Sequence, residues 1–180
     1  LLAELQRVGL AVAKDDTRLD ALLREVKQRE AEGYAYDGAD ASFELLARRT
    51  IDDAGIRYGF VSVDIDRAAR IATISIKAPE TAPPADIDGL VAQGAAFWPL
   101  QVARELDDAI LHLRINELEI AMLVFKSHGD PANIVAHDAF LEANKAHWLV
   151  NEVRHYWKRV LKRIDVTSRT LVTLVEPGSC

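Results

Sequence analysis

The stretch from Phe97 to Gly178 constrains the fold most, because it alternates helical and strand periodicity twice and ends in Glu176-Pro177-Gly178-Ser179-Cys180. Trp98-Pro99 opens a helix whose apolar stripe is Val102, Leu106, Ala109, Ile110 and Leu113, with Arg104, Glu105, Asp107 and Asp108 mostly off it. Leu118 to Phe125 is apolar at nearly every position, as a strand covered on both faces would be, with a short buried helix as the competing reading. Asp130-Pro131 starts a second helical pattern that runs to about Ile164 along Leu149, Val153, Tyr156 and Val160, with a bend expected near Asn144. Thr170 to Val175 then returns to strand-like residues, and strand, helix, strand in that order favours a parallel crossover. Burial is expected at Leu118, Ile120, Leu123, Phe125, Leu171, Leu174 and Val175. In parallel sheets, the turns after strand C-termini hold ligands, so Gly178 and Ser179 are the candidate ligand-turn or oxyanion residues.

Upstream, Val61, Val63 and Ile65 alternate with Ser62 and Asp64, and Ala72, Ile74 and Ile76 alternate with Thr73, Ser75 and Lys77, which predicts a β-hairpin. Pro79, Pro83 and Pro84 make 78–85 an extended linker, and a short helix is expected from Asp86 to Gly94. Residues 1–50 read as helical. Leu2, Leu5 and Val8 form one stripe ended by Gly9; Thr17 is the expected N-cap of a second helix carrying Leu19, Leu22, Leu23 and Val26 and stopped by Gly33. After a connector at Tyr34-Ala35-Tyr36-Asp37-Gly38, Asp40 is the expected cap of a third helix presenting Phe43, Leu46 and Ala47. The fold expected is α/β: a helical appendage over 1–50, then a domain over 51–180 built as a hairpin followed by helix, strand, helix and strand.

Charge and composition remove several classes of function. With 22 Lys and Arg against 28 Asp and Glu, the net charge of −6 offers no basic face that could dominate attraction to phosphate, so nucleic acid is not expected as a partner. One cysteine allows neither an internal disulfide nor a thiolate zinc site, which suits a reducing cytoplasm. No run of eighteen apolar residues occurs, so no membrane span is expected. The chain lacks an initiator methionine and begins in mid-pattern, so both ends read as cut from a larger protein.

The isolated polar residues read mostly as structural. Ser127, His128 and Asp130 are too close in sequence to favour a triad, which is defined by spatial roles. His137, His147 and His155 do not recur at three or four residues and so do not align as a metal pair; packing or exposure is expected for them, and a polar flank for His112. Asp107-Asp108 and Glu117/Glu119 are expected to be solvated acids, and Trp148, Tyr156 and Trp157 to be packing residues. No metal site is expected.

Two resemblances add to this reading. Lys14-Asp15-Asp16 and the run from Val26 to Leu46, through its Glu32-Gly33-Tyr34 and Ala41-Ser42-Phe43-Glu44-Leu45-Leu46 elements, resemble the helical region after the barrel of citramalate synthases. The catalytic barrel of those enzymes is not in this sequence, so their activity does not carry over. The hairpin from Val61 to Arg70, Gly94 to Leu100 with Ala103 to Ile110, Asn116 to Ile120, and Asp165 to Arg169 through Cys180 resemble benzoyl-CoA-dihydrodiol lyases of the crotonase superfamily. That resemblance covers about 50–180 and implies a partial crotonase-like domain of a CoA-ester lyase in aromatic degradation. The family cleaves the oxygenated ring of a dihydrodiol or epoxide benzoyl-CoA derivative, releasing formate. It implies an aromatic acyl-CoA substrate, no cofactor beyond the coenzyme A of the substrate, a cytoplasmic setting, and a homo-oligomer or association with a missing domain. Lys126-Ser127-His128-Gly129-Asp130 departs from the small-residue oxyanion loop usual in crotonases, and the second amide donor would fall beyond Cys180. The chain alone is therefore expected to be inactive. The rival expectations are a citramalate or isopropylmalate synthase segment and a non-catalytic interaction or oligomerisation module.

Overall fold

The computed structural model describes residues 1–13, 15–36 and 39–180. Lys14 of the first resemblance and Asp37 and Gly38 of the expected connector lie outside the described residues. The chain divides into two compact units, Leu1–Arg49 and Thr50–Cys180.

The first unit holds three helices: α1 (Leu2–Arg7), α2 (Arg18–Ala31) and α3 (Asp40–Arg48). Their apolar stripes meet in a small core of Leu5, Val26, Phe43 and Leu46. Thr17 stands at the N-cap of α2, as expected, but its side chain makes no capping bond; the Asp16 carboxylate takes the Arg18 amide at 2.9 Å instead. Arg18's side-chain hydrogen bonds also draw the Asp16 acid down to about 2. Asp40 lies inside α3 rather than before it, and its carboxylate pairs with Arg7 at 2.8 Å. Glu25 of α2 pairs with Arg29 and Arg49.

The second unit is one six-stranded mixed sheet: β1 (Thr50–Asp52), β2 (Gly55–Arg57), β3 (Val61–Asp66), β4 (Ile71–Lys77), β5 (Met122–His128) and β6 (Thr170–Thr173). The strands lie in sequence order; the first four are antiparallel, and β4, β5 and β6 run parallel. The expected hairpin is β3–β4, with Val63 opposite Ile74. The β1–β2 hairpin was not legible, because each strand has three residues and an isolated pattern that short carries no period. A Cβ on Gly55 would stand 1.9 Å from the Val63 carbonyl oxygen, which explains a glycine where β2 meets β3.

Helices α4 (Ile87–Gln93) and α5 (Trp98–Asn116) connect β4 to β5; α6 (Pro131–Ala143) and α7 (Trp148–Asp165) connect β5 to β6. The α5 stripe packs as expected: Val102, Leu106, Ala109, Ile110 and Leu113 are buried against Val61, Val63, Ala72 and Ile74, with Val160 and Ile164 of α7 joining the same core. Each fully buried Val, Leu or Ile contributes about 1.5–3 kcal/mol.

Four expectations are corrected here. Glu105 is on the buried face, at 2% exposure, rather than off it. Its carboxylate accepts hydrogen bonds from the amides of Gly59 (3.2 Å), Phe60 (2.8 Å) and Val61 (2.9 Å), and from Gln101 Nε2 (2.9 Å). The turn into β3 has donors and no strand partner, and α5 brings it an acceptor.

The second strand-helix boundary is also displaced. β5 starts at Met122, and Leu118 is 73% exposed, because α5 continues to Asn116 and residues 117–121 turn back to let the Met122 amide reach Arg70 O. Arg169 Nη2 closes the end of α5, donating to Leu113 O (2.7 Å) and Glu117 O (2.9 Å). The expected long helix is two helices. Asn144 folds its side chain onto Phe140 O at 2.9 Å, which ends α6, and His147 precedes α7. Finally, β6 is an edge strand among the described residues and ends at Thr173, so Leu171 on it and Leu174 and Val175 past its end are exposed where burial was expected.

Of the four acids expected to be solvated, Glu119 is exposed as expected and the other three have partners. Asp107 pairs with Arg163 and accepts from the Tyr156 hydroxyl at 3.2 Å; Asp108 accepts from Tyr58 at 2.8 Å; Glu117 pairs with Arg67 at 2.6 Å. Burial, then the nearby Asp107 charge, pushes the Tyr156 phenol up to about 12. An unfolded tyrosine ionises near pH 10. The raised value favours the protonated phenol in the folded state, so this contribution is complete below pH 10 and is lost as pH rises toward 12. Because the ring is partly solvated, the expected loss is only about 1 kcal/mol. Denaturant melts at pH 9 and 11.5 test it: Tyr156→Phe should flatten the decline, and an unchanged decline in that variant would contradict it.

Candidate site at the parallel strand ends

Parallel pairing puts the C-termini of β4, β5 and β6 at one edge, where three connections leave the sheet. The first carries Ala78 and Pro79, the second Gly129 and Asp130, and the third Glu176 to Cys180. The Ala78 amide donates to His128 O at 2.9 Å, and the Gly129 amide donates to Gly178 O at 3.3 Å, so the three are laced together. Gly129 has φ +131°, and a Cβ there would stand 2.5 Å from that of Ala78. Only glycine allows this approach without displacement.

Ser127 and Lys126 fix the third connection. Ser127 Oγ donates to Cys180 O at 2.6 Å and accepts from the Cys180 amide at 3.2 Å, while Lys126 pairs with Glu176 at 3.1 Å. Ser127 is thus a backbone clamp, and it is not paired with His128 or Asp130 as a nucleophile. Asp130 caps α6, taking the Ala132 amide at 2.9 Å.

Gly178 and Ser179 belong to one tight turn. Gly178 has φ +90°; the Ser179 amide donates to Glu176 O at 2.9 Å, and Ser179 Oγ accepts from the Glu176 amide at 2.9 Å. The Gly178 amide has no protein acceptor among the described residues and remains able to donate. Space beside Gly178 is open, since a Cβ there would meet nothing within 4 Å.

The other singled-out residues are dispersed. His112 Nδ1 lies 3.1 Å from Asn116, His155 is exposed on α7, and His137 is buried in α6. Trp157 packs on the main core and donates to Pro99 O at 2.8 Å, whereas Trp148 is 67% exposed and does not pack as expected. Among the described residues no group of three or more His, Cys, Asp or Glu could hold a metal, and no helix is long and apolar enough to cross a membrane. Sequence reasoning missed Ser127 as a clamp, since its partner lies 53 residues away. Glu105 carried a signal: it lies three residues after Val102 and four before Ala109, inside the stripe.

No family model matches the chain. Over 53 residues, or 29% of its length, it is 36% identical to 10% of (R)-citramalate synthase of Streptomyces coelicolor. A longer similarity spans 132 residues, too many to lie within the 49 residues of the first unit. Over those residues, 73% of the chain, it is 43% identical to benzoyl-CoA-dihydrodiol lyase of Aromatoleum evansii, and it spans 24% of that protein's length.

Proposed function

We propose that the chain supplies part of a CoA-ester lyase of aromatic degradation, acting on the oxygenated ring of a dihydrodiol or epoxide benzoyl-CoA derivative. The 43% identity to benzoyl-CoA-dihydrodiol lyase carries the reading. The strand-end edge gives it a physical form. A thioester carbonyl gathers negative charge during carbon-carbon cleavage, and oriented amides facing it lower the barrier. The open amide of Gly178 is one such donor. The loop at 128–130 offers less, because the Gly129 amide is already spent on Gly178 O. One donor is half a cradle, so ring cleavage requires groups from the remainder of a full-length enzyme.

That spent amide favours a second reading, in which this unit is a non-catalytic module that binds or assembles. Calorimetric titration of the 180-residue chain separates the two. Binding of benzoyl-CoA, with none of pyruvate or acetyl-CoA, is expected. Absence of any heat with benzoyl-CoA would favour the module, and binding of pyruvate with acetyl-CoA would favour a synthase segment. Turnover by the chain alone would contradict the half-cradle.

A further inference from the structure

His137 is 4% exposed, and its ring lies against Phe97 (5.9 Å between centroids) and Trp98 (5.6 Å). Its Nδ1 is 2.8 Å from the carbonyl oxygen of Asn133, one turn earlier in α6. A carbonyl can only accept, so Nδ1 carries a proton and Nε2 of the neutral ring presents a lone pair. No protein group among the described residues pairs with Nε2, and Nε2 is not among the sealed polar atoms that lack a partner. The small exposed part of the ring therefore includes this nitrogen.

Its position ties it to the strand ends. Asn133 Nδ2 donates to Pro79 O at 3.0 Å, and Trp98 Nε1 donates to Lys77 O at 3.2 Å, so both residues that hold the imidazole also hold the chain leaving β4. Tautomer, ring plane and location are all fixed before any ligand arrives. The immediate surroundings are aromatic rings and carbonyls already in use, which suit a neutral hydrogen-bond donor better than an anion. A lone histidine with no second ligand does not make a metal site.

We propose that Nε2 of His137 accepts a hydrogen bond from a neutral N–H donor of a ligand lying along the C-terminal end of β4, such as an amide of the pantetheine arm of a CoA thioester. This deepens the acyl-CoA reading and rests on it. The test is titration of the full 180-residue chain, labelled with ¹⁵N-histidine, with benzoyl-CoA and separately with pantetheine, alongside His137→Gln and His137→Phe. At a pH where the ring is neutral, the Nε2 resonance of His137 should move toward lower frequency with either ligand. Loss of one hydrogen bond to the ligand should weaken benzoyl-CoA binding about tenfold in His137→Phe. Glutamine, whose carbonyl can reach the place of Nε2, should keep most of the affinity. Unchanged affinity in a folded His137→Phe, or an Nε2 resonance indifferent to bound benzoyl-CoA, would reduce His137 to core packing while leaving the acyl-CoA reading intact. Wild-type protein that binds neither ligand would overturn both.

Discussion

Glu105→Ala is expected to destabilise the Thr50–Cys180 unit by about 3–5 kcal/mol. The side chain is 2% exposed and supplies the acceptor for three successive amides, Gly59, Phe60 and Val61. Alanine removes a carboxylate of packed volume and leaves the Val61 amide unsatisfied in the core and those of Gly59 and Phe60 at its margin. Each unsatisfied buried donor costs about 1–3 kcal/mol, with some relief from water entering the gap. Against a typical domain stability of about 5–15 kcal/mol, such a loss approaches unfolding. Glu105→Gln keeps one acceptor oxygen but places an N–H where another amide points, so an intermediate loss is expected. Urea denaturation followed by circular dichroism reads both. A midpoint for Glu105→Ala within error of wild type would show that the turn is held by something else.

Gly129→Ala should cost about 2–4 kcal/mol and, unlike the Glu105 change, act at the edge where β4, β5 and β6 end. The backbone there has φ +131°, a region closed to side chains, and the new methyl would stand 2.5 Å from the Ala78 side chain. The cheapest escape is to swing the loop away from β4, breaking the bond from the Gly129 amide to Gly178 O. Faster amide exchange at Gly129 and Ala78, whose amide bonds to the adjacent His128 carbonyl, is therefore expected along with the lost stability. Slow exchange at both positions in a stable variant would mean that the loop accommodates a side chain in place.

Much of the second unit was legible because its periods are long enough to read. The α5 stripe, the β3–β4 hairpin and the order helix, strand, helix, strand all follow from patterns that run over five or more residues. The boundaries that moved are set by distant partners. Leu118 belongs by composition to the strand after it, but its exposure is decided by Arg70 O and Arg169, which end α5 and start β5 where they do. Leu171 and Leu174 read as buried because parallel strands usually are; among the described residues β6 has a neighbour on one side alone and ends at Thr173, which leaves Leu171 on an edge strand and Leu174 past its end. The site divides in the same way. A Pro-Gly turn after a strand is visible locally, which is why Gly178 could be named. The clamp from Ser127 to Cys180 and the coupling of His137 through Asn133 to Pro79 join residues more than 50 positions apart, and no local pattern encodes them.

The proposed ligand site at the strand ends is tested most directly by amide chemical-shift mapping of the 180-residue chain with benzoyl-CoA. The expected perturbations concentrate at the backbone of Ala78 to Glu80, Ser127 to Asp130 and Gly178 to Cys180, with little change along β1, β2 and residues 1–49. Perturbations confined to the first unit, or none at ligand concentrations that saturate a full-length lyase, would contradict a ligand site at the ends of β4, β5 and β6.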